Sequence, residues 1–150
     1  MTKVLYKTKM KLMNETYILS LVGRIHRQGN RFIESELRER NIKDIAPSHG
    51  DILFRLYQQE SLTMHELSKL IDRDKSTVTV LVDKMVKKGY IRKEKDLKDT
   101  RIYRLTLTEK GYDLRKVFEE ISDSLIDKIY SKFAIEEKKQ IIELLRKIEF

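Results

Sequence analysis

The sequence predicts a mainly α-helical protein that carries one small β-hairpin. Apolar residues recur at helical spacing over most of the chain, and only one proline and five glycines interrupt it. One short stretch, 90–107, instead alternates polar and apolar residues around a charged turn. With 150 residues, of which 40% are hydrophobic, the chain is long enough for a single domain, 1–150, with a substantial core.

Two helices are predicted in the first part of the chain. The apolar residues between Tyr17 and Leu37 are spaced for one face of a long helix. A connection follows at 41–46, and Pro47 suits the first turn of a second helix, where its missing N–H is not needed. The core face of this second helix is predicted to be Ile52, Leu53 and Leu56.

Two further helices follow closely, as in a helix-turn-helix. Thr63 and Glu66 match a capping box, in which each side chain accepts one free backbone N–H, so they begin a short third helix. Asp74 suits the N-cap of a fourth helix, which ends at Gly89. The expected buried residues of these two helices are Leu67, Leu70, Ile71, Val78, Leu81, Val82, Met85 and Val86.

A hairpin and two helices complete the chain. Strands are predicted at 90–95 and 101–107. Thr108 is expected to cap a long fifth helix, and a last helix begins near Glu136. The order of four helices, a hairpin and two helices is that of a winged helix-turn-helix, with 47–111 as its DNA-binding core.

The helices at the two ends are expected to form a dimer interface. Segments 10–40 and 109–150 carry more apolar surface than one small domain readily covers, so we expect them to pack against a second copy of the chain. The expected interface residues are Tyr17, Leu125, Ile129, Phe133, Ile141, Leu144, Leu145 and Ile148. A monomeric bundle that buries all of this surface is the alternative.

The charge balance favours a polyanionic partner. The chain has 32 Lys and Arg against 24 Asp and Glu, which gives a net charge of +8 and a pI of about 9.5. Nucleic acid is the first partner that such an excess favours, although it also serves solubility alone. There is no cysteine, and therefore no thiol chemistry. Neither a signal peptide nor an apolar run of ~18 residues occurs, so we expect a cytoplasmic protein without membrane contact.

The outward face of the fourth helix has side chains suited to DNA. At about 100° per residue, with Val78 inward, Ser76 and Val80 lie far from the core, and Thr77 and Thr79 lie on the flanks. Hydroxyls can meet base edges or phosphates, and Val80 suits a thymine methyl group. An idle valine and a merely solvated lysine face are the alternatives. The candidate DNA-binding residues of this helix are Lys75, Ser76, Thr77, Thr79, Val80 and Lys84.

The turn of the hairpin supplies a second candidate contact. Arg101 follows this turn, and an arginine on a thin arm can enter the narrow minor groove, where the negative potential is strongest. Asp99, two residues earlier, is expected to hold the guanidinium by a charge-assisted hydrogen bond and so to support the wing.

Other classes of function find little support. His26, His49 and His65 are scattered, no glycine-rich phosphate loop occurs, and no Ser–His–acid set is indicated, so we expect neither enzyme activity nor a cofactor. No metal-ligand spacing such as His-x-x-x-His occurs, so no metal site is expected. A winged helix that contacts only other proteins is the alternative function, since a fold alone does not fix function.

The sequence resembles the MarR family of transcription regulators. The segment Lys75–Ile91 is similar to that family's recognition helix, and Asp99–Arg101 with Leu105–Gly111 is similar to its wing. The helix start at Ala46–Ser48 and the end helices agree, so the resemblance covers essentially the whole chain. It implies a sequence-specific regulator of transcription, expected to be a repressor, that binds a pseudo-palindromic double-stranded DNA operator as a homodimer.

The resemblance also implies roles for individual residues. Ser76, Thr77 and Thr79 would contact the major groove, Arg101 would enter the minor groove, and Asp99 would brace the wing. Family members often carry arginine where this chain has Val80, a departure consistent with an AT-rich operator.

A small effector, often an aromatic anion, is a further implication of the resemblance. It would bind between the first, second and fifth helices and release the protein from DNA. Its walls would include Ile25, His26, Gly29, Ile52, Leu53, Phe54 and Leu114. The alternative is that this apolar stripe is ordinary core.

Overall fold

A computed structural model of the protein describes residues 17–149. The chain divides into two compact units, of which the first ends at Ile42 and the second begins at Lys43. Residues 10–16 of the first expected dimerisation segment, and Phe150 of the second, lie outside the described residues. Among the helices of the described part, none is both long and apolar enough to span a membrane.

The first unit contributes one long helix, α1 (Ile18–Glu39), as the apolar spacing predicted. Asn41 follows it in the left-handed region, with a φ of 59°, which asparagine tolerates better than most residues. The N–H of Ile42 donates to the carbonyl of Leu37 over 2.8 Å, so one of the last carbonyls of the helix is paired. Apolar side chains of α1 that are exposed include Ile18, Leu19, Val22 and Ile25.

The second unit is mainly helical with one small sheet, and this confirms the predicted fold class. Its elements in chain order are α2 (Pro47–Gln58), β1 (Leu62–Thr63), α3 (Met64–Leu70), α4 (Lys75–Lys87), β2 (Ile91–Lys95), β3 (Tyr103–Leu107), α5 (Glu109–Tyr130) and α6 (Ile135–Arg146). The strand order is β1-β3-β2, and both pairings are antiparallel.

Two details of the sheet differ from the prediction. Strand β1 was not expected, because two residues are too few to show alternation; it pairs with β3 through Leu62 opposite Leu105. Strand β3 begins at Tyr103, two residues later than expected. Just before it, the N–H of Ile102 donates to the carbonyl of Asp99 over 3.0 Å, so these residues belong to the turn and not to the strand.

The predicted helix ends are present. The N–H of Thr63 donates to the Glu66 carboxylate over 2.7 Å, and the N–H of Glu66 donates to the Thr63 hydroxyl over 3.2 Å, which completes the capping box of α3. The Thr108 hydroxyl accepts the N–H of Gly111 over 3.1 Å at the start of α5. Gly89 follows α4 with a φ of +77°, which glycine adopts without strain. Gly89 therefore marks the point where the chain turns from α4 into the hairpin.

The core of the second unit lies against the inner face of α4. Its side chains with at most 2% exposure include Ile52, Leu53, Leu56, Leu62, Leu67, Val78, Val82, Met85, Ile91 and Leu105. Four residues that were expected to be buried are only half-buried: Leu70 and Ile71 at the end of α3, and Leu81 and Val86 at the edges of the inner face of α4. Burial of an aliphatic side chain contributes about 1.5–3 kcal/mol, so α4 is firmly held with its other face outward.

Candidate nucleic-acid interface

The orientation of α4 agrees with the helical phase expected from the sequence. Val78 and Val82 are fully buried, whereas Val80 is 55% exposed. Ser76 is also exposed, and Thr77 is half-buried on the flank. An outward-facing β-branched apolar residue between hydroxyl groups can contact a base edge, and it contributes nothing to the core from this position.

Every hydroxyl of the candidate set is already donating a hydrogen bond. The hydroxyls of Ser76 and Thr77 both donate to the carboxylate of Asp74, the latter over 2.7 Å. The Thr79 hydroxyl donates to the carbonyl of Lys75 over 2.7 Å. A hydroxyl has one hydrogen, so in this arrangement each of the three has only its lone pairs left for a further partner.

Asp74 organises this end of α4. Its carboxylate accepts the backbone N–H of Thr77 over 2.8 Å, which confirms the predicted N-cap. Hydrogen bonds from the Ser76 hydroxyl, the Thr77 hydroxyl and the Thr77 N–H hold the pKa of Asp74 far below its usual range. The sequence indicated a cap here, but gave no signal that the same carboxylate would bind the two hydroxyls.

The lysines near α4 differ in their freedom. The ammonium groups of Lys75 and Lys84 make no hydrogen bond or ion pair within the described part of the chain, and both side chains are exposed. Lys88 instead donates to the carbonyl of Asp44, and Lys110 donates to the carbonyl of Lys88 over 2.8 Å. Lys87 is likewise exposed and unpaired within the described residues, so Lys75, Lys84 and Lys87 are the lysines of α4 that are free to meet phosphates.

The wing is braced by a carboxylate that the sequence did not single out. One oxygen of Asp96 accepts the backbone N–H groups of Lys98 and Asp99 over 2.8 and 3.0 Å, and the other accepts from the guanidinium of Arg104. The Arg104 bond and these two N–H groups lower the pKa of Asp96 to about 2. Asp residues commonly accept N–H groups two and three residues on in turns, and this tendency was the available signal.

Asp99 was expected to hold the guanidinium of Arg101, and this expectation is wrong. Its carboxylate accepts the backbone N–H of Arg101 over 2.9 Å. In the span 17–149, the guanidinium of Arg101 has no hydrogen-bond or ion-pair partner, and the side chain is exposed. The turn geometry brings the main chain, and not the longer side chain, to Asp99. Asp99 therefore shapes the turn and leaves Arg101 free.

Two contacts tie the hairpin to neighbouring elements. Lys93 of β2 forms an ion pair of 3.0 Å with Asp83 of α4, and its ammonium group lies 5.6 Å from the ring centroid of Tyr103. The guanidinium of Arg104 also donates to the hydroxyl of Ser61 over 3.2 Å. The wing is therefore held both to α4 and to the segment before β1.

A buried histidine is located at the first turn of α2. The Nδ1 atom of His49 accepts the N–H of Ala46 over 3.0 Å, so Nε2 carries the hydrogen. Nε2 has no partner within residues 17–149. Burial, and then the positive charges of Lys88 and Lys84, lower the pKa of His49. Neutral His49 thus caps α2 with a group that cannot be protonated without loss of the cap.

A groove of about 530 Å³ separates α2 from α5. Its walls are Phe54, Tyr57, Gln58, Arg115, Phe118, Glu119, Ser122, Asp123 and Ile126. Arg115 pairs with Glu119 over 2.9 Å, and its guanidinium lies 5.7 Å from the ring centroid of Tyr57. Burial raises the pKa of Tyr57, whose hydroxyl donates to the carbonyl of Gly111 over 3.0 Å. The groove offers aromatic walls, one cation (Arg115) and two carboxylates (Glu119 and Asp123).

The groove overlaps the expected effector walls only in part. Phe54 lines it, whereas Ile52 and Leu53 are fully buried core residues with no surface to offer a ligand. Leu114 is half-buried and is not among the lining residues. The remaining expected walls, Ile25, His26 and Gly29, belong to α1 in the first unit. The helical spacing located apolar residues but could not separate core from groove.

Metal ligation finds no support in the described residues. No group of three or more His, Asp or Glu side chains within 17–149 is arranged to hold a metal ion.

Comparison with known proteins agrees with this arrangement. The family model described as "MarR family" matches residues 45–103. The HTH-type transcriptional regulator BilQ of Clostridium symbiosum is 33% identical over 123 residues, which are 78% of this chain and 79% of BilQ. The HTH-type transcriptional regulator SarZ of Staphylococcus epidermidis is 30% identical over 97 residues, 63% of each protein. A second SarZ, from Staphylococcus haemolyticus, is matched over 57% of its length, so the chain spans about three fifths of these SarZ relatives.

Solved structures extend the similarity to the whole fold. A MarR protein from Peptoclostridium difficile superposes with a TM-score of 0.79 at 29% identity, over 87% of this chain and 84% of that one. A MarR mutant from E. coli in complex with operator DNA has a TM-score of 0.79 at 22% identity, over 91% and 96%. Bordetella bronchiseptica BpsR, solved in a study of how 6-hydroxynicotinic acid regulates its DNA binding, has a TM-score of 0.76 at 18% identity, over 85% and 89%.

The fold, the outward face of α4 and the braced hairpin are those of a winged helix-turn-helix protein. The chain belongs to the MarR family. Two of its relatives, SarZ and BilQ, are named as HTH-type transcriptional regulators.

Proposed function

We propose that this protein is a sequence-specific repressor that binds a pseudo-palindromic operator as a homodimer. One observation carries the proposal: α4 presents a valine and hydroxyl groups outward from a fully buried inner face, beside a wing whose tip carries an unpaired arginine. The buried face fixes the helix for insertion into a major groove. The net charge of +8 adds the attraction to DNA that is independent of sequence.

Each candidate residue has a role in this proposal. Ser76, Thr77, Thr79 and Val80 lie in the major groove, and Lys75 and Lys84 bind phosphates on either side. Arg101 enters the minor groove. Its guanidinium has no hydrogen bond or ion pair within residues 17–149 that would have to break first. Asp99 supports the wing through the backbone of the turn. The segment 47–111 is the DNA-binding core.

The dimer is supported by apolar surface on the last two helices. Side chains that are at least 40% exposed include Ile126, Ile129, Ile135, Ile142, Leu144, Leu145 and Ile148. An exposed set of this size on two consecutive helices is more than a small monomeric domain ordinarily leaves in water. A second copy of the chain covers it in the proposal, through the segments 109–150 and 10–40.

An effector is the second part of the proposal. The groove between α2 and α5 has aromatic walls that suit a small aromatic molecule. A carboxylate on that molecule would take the place of Glu119 as the partner of Arg115. BpsR, a protein of the same fold, is regulated by such a molecule, 6-hydroxynicotinic acid. Titration of this protein with small aromatic carboxylates should give saturable binding that the Arg115→Gln variant weakens. Equal binding by both proteins would place the ligand elsewhere.

Selection from a pool of random DNA duplexes with the full-length protein tests the main proposal. We expect an enriched, pseudo-palindromic site whose half-sites are about 34 Å apart. Binding of that site should weaken by about 10³-fold or more between roughly 50 and 200 mM salt, as for proteins with several phosphate contacts. Failure to enrich any sequence would contradict the proposal and favour a winged helix that contacts other proteins.

A further inference from the structure

We propose that Asp74 sets the hydrogen-bonding polarity of the DNA contact: it occupies the hydrogen of the Thr77 hydroxyl, so that Thr77 reads bases as an acceptor only. This inference rests on the proposed function and deepens it. Asp74 is a positioning residue in this scheme, because it acts through Thr77 and need not touch the DNA itself.

The contacts at the start of α4 show which hydrogen bonds each carboxylate oxygen of Asp74 accepts. One oxygen of Asp74 accepts the backbone N–H of Thr77 over 2.8 Å and also the Ser76 hydroxyl. The other oxygen accepts the Thr77 hydroxyl over 2.7 Å. An ionised carboxylate can only accept. The hydrogen of the Thr77 hydroxyl must therefore lie between the Thr77 oxygen and this second oxygen of Asp74. The depressed pKa of Asp74 means that it remains ionised at neutral pH.

The consequence is a restricted set of partners for Thr77. In the major groove, only the amino groups of adenine N6 and cytosine N4 donate hydrogen bonds, whereas guanine and thymine present acceptors there. Phosphate oxygens are also acceptors, so a hydroxyl in this state cannot bind them. Thr77 therefore favours adenine or cytosine at the base that it faces. The sequence alone left both base edges and phosphates open to this hydroxyl.

Thr79 supplies an internal comparison. Its hydroxyl donates to the carbonyl of Lys75 over 2.7 Å, so it too has only lone pairs to offer. A main-chain carbonyl holds it, and substitution of Asp74 should leave it unchanged. Any effect of Asp74 on base preference should therefore be confined to the positions that Thr77, and to a lesser extent Ser76, faces.

Substitution of Asp74 by asparagine should keep the helix cap while it reverses the direction of the hydrogen bond between residue 74 and the Thr77 hydroxyl. Asparagine is as good an N-cap as aspartate, and its amide oxygen can keep the bonds from the Thr77 N–H and the Ser76 hydroxyl. Its NH₂ group then takes the place of the second oxygen and donates to Thr77. The hydroxyl hydrogen of Thr77 is thereby freed, and Thr77 becomes a donor.

The experiment compares binding sites selected by four full-length proteins: the native chain, Asp74→Asn, Thr77→Val and the double variant. The native chain should select adenine or cytosine at one base of each half-site. Asp74→Asn should shift that base towards guanine or thymine, by about fivefold or more in relative affinity, since a donor facing a donor leaves both unpaired. Thr77→Val and the double variant both lack the hydroxyl, so any preference that remains there, such as one for the thymine methyl group, should be the same in both.

Affinity for all duplexes is a separate readout. Loss of the Asp74 charge should strengthen binding to every sequence alike, whatever the fate of Thr77. Circular dichroism melting of each variant verifies that it folds. An Asp74→Asn variant that folds and keeps the native base preference, while Thr77→Val changes it, would overturn the role of Asp74. A native chain that selects no sequence at all would instead overturn the proposed function itself.

Discussion

The stability of the first turn of α2 should depend on pH through His49. Its Nδ1 atom must be unprotonated to accept the N–H of Ala46, and burial together with Lys88 and Lys84 lowers its pKa below the usual 6.5. The unfolded chain therefore binds this proton more readily than the folded chain does. The stability that depends on neutral His49 is complete above pH 6.5 and is lost as the pH falls from there towards the lower folded pKa.

The variant His49→Gln tests this coupling. Glutamine at the third position of a helix can accept the N-cap N–H as in a capping box, and it does not titrate. We expect the native protein to lose more stability than His49→Gln when the pH is lowered from roughly 7.5 to 5. Urea denaturation at a series of pH values measures the difference. Parallel pH profiles for the two proteins would show that His49 does not contribute.

Arg101 is the residue on which we expect DNA affinity to depend most at the wing. Because no internal partner is lost, Arg101→Ala should leave folding unchanged and should cost ~1–3 kcal/mol of operator affinity, with a salt slope smaller by about one. Fluorescence anisotropy at several salt concentrations measures both quantities. Lys43→Ala, outside both the DNA-binding core and the proposed dimerisation segments, removes the same charge from an exposed position and serves as the control. Equal losses in the two variants would mean that Arg101 acts only through net charge.

At the scale of elements, the shape of the wing depends on Asp96. Its carboxylate accepts the N–H groups of Lys98 and Asp99 in the turn, and it also accepts a hydrogen bond from Arg104. Asp96→Asn keeps an oxygen for the turn, whereas Asp96→Ala removes it; both remove one negative charge. We therefore expect Asp96→Ala to bind the operator more weakly than Asp96→Asn, although charge alone would predict equal binding. Gel shifts with both variants decide this, and equal affinities would contradict it.

The helices could be predicted because their signals are local. The start of α3 at Thr63, that of α4 at Asp74 and that of α5 at Thr108 follow from a capping residue, and the inward face of α4 follows from the spacing of its apolar residues. Strand β1 could not be predicted in the same way. Its pairing of Leu62 with Leu105 joins positions far apart in the chain, and two residues show no period.

The site was less predictable than the fold because hydrogen bonds depend on turn geometry. Spacing alone suggested that Asp99 meets the guanidinium of Arg101, but the turn brings it the backbone N–H instead. The brace comes from Asp96, which reaches across the hairpin to Arg104. Likewise, the sequence predicted the hydroxyl of Thr77 as a DNA contact but not that this hydroxyl donates to Asp74. Residue types predicted the candidate site, whereas its internal hydrogen bonds depend on the folded geometry.

At the scale of the whole molecule, the proposed function depends on the distance between two copies of α4. Half-sites of a palindrome lie one helical turn, about 34 Å, apart, so the surface that joins the copies sets the operator spacing. Leu145 on α6 is 42% exposed and Ile142 is 40% exposed. Both are free in the single chain to form that surface. A change there should affect assembly while it leaves the winged helix-turn-helix core intact.

Leu145→Glu tests the assembly. Burial of one leucine contributes roughly 1.5–3 kcal/mol, and in a symmetric dimer the loss occurs twice, with an unpaired carboxylate added at each copy. Because Leu145 is already part-exposed, the single chain should still fold, whereas the dimer should dissociate and operator binding should be lost. Light scattering should give twice the chain mass of 18.0 kDa for the native protein and for the control Lys43→Glu, an exposed position outside both proposed dimerisation segments, and the chain mass for Leu145→Glu. A native protein that scatters as a monomer and still binds a palindromic site tightly would contradict the dimer.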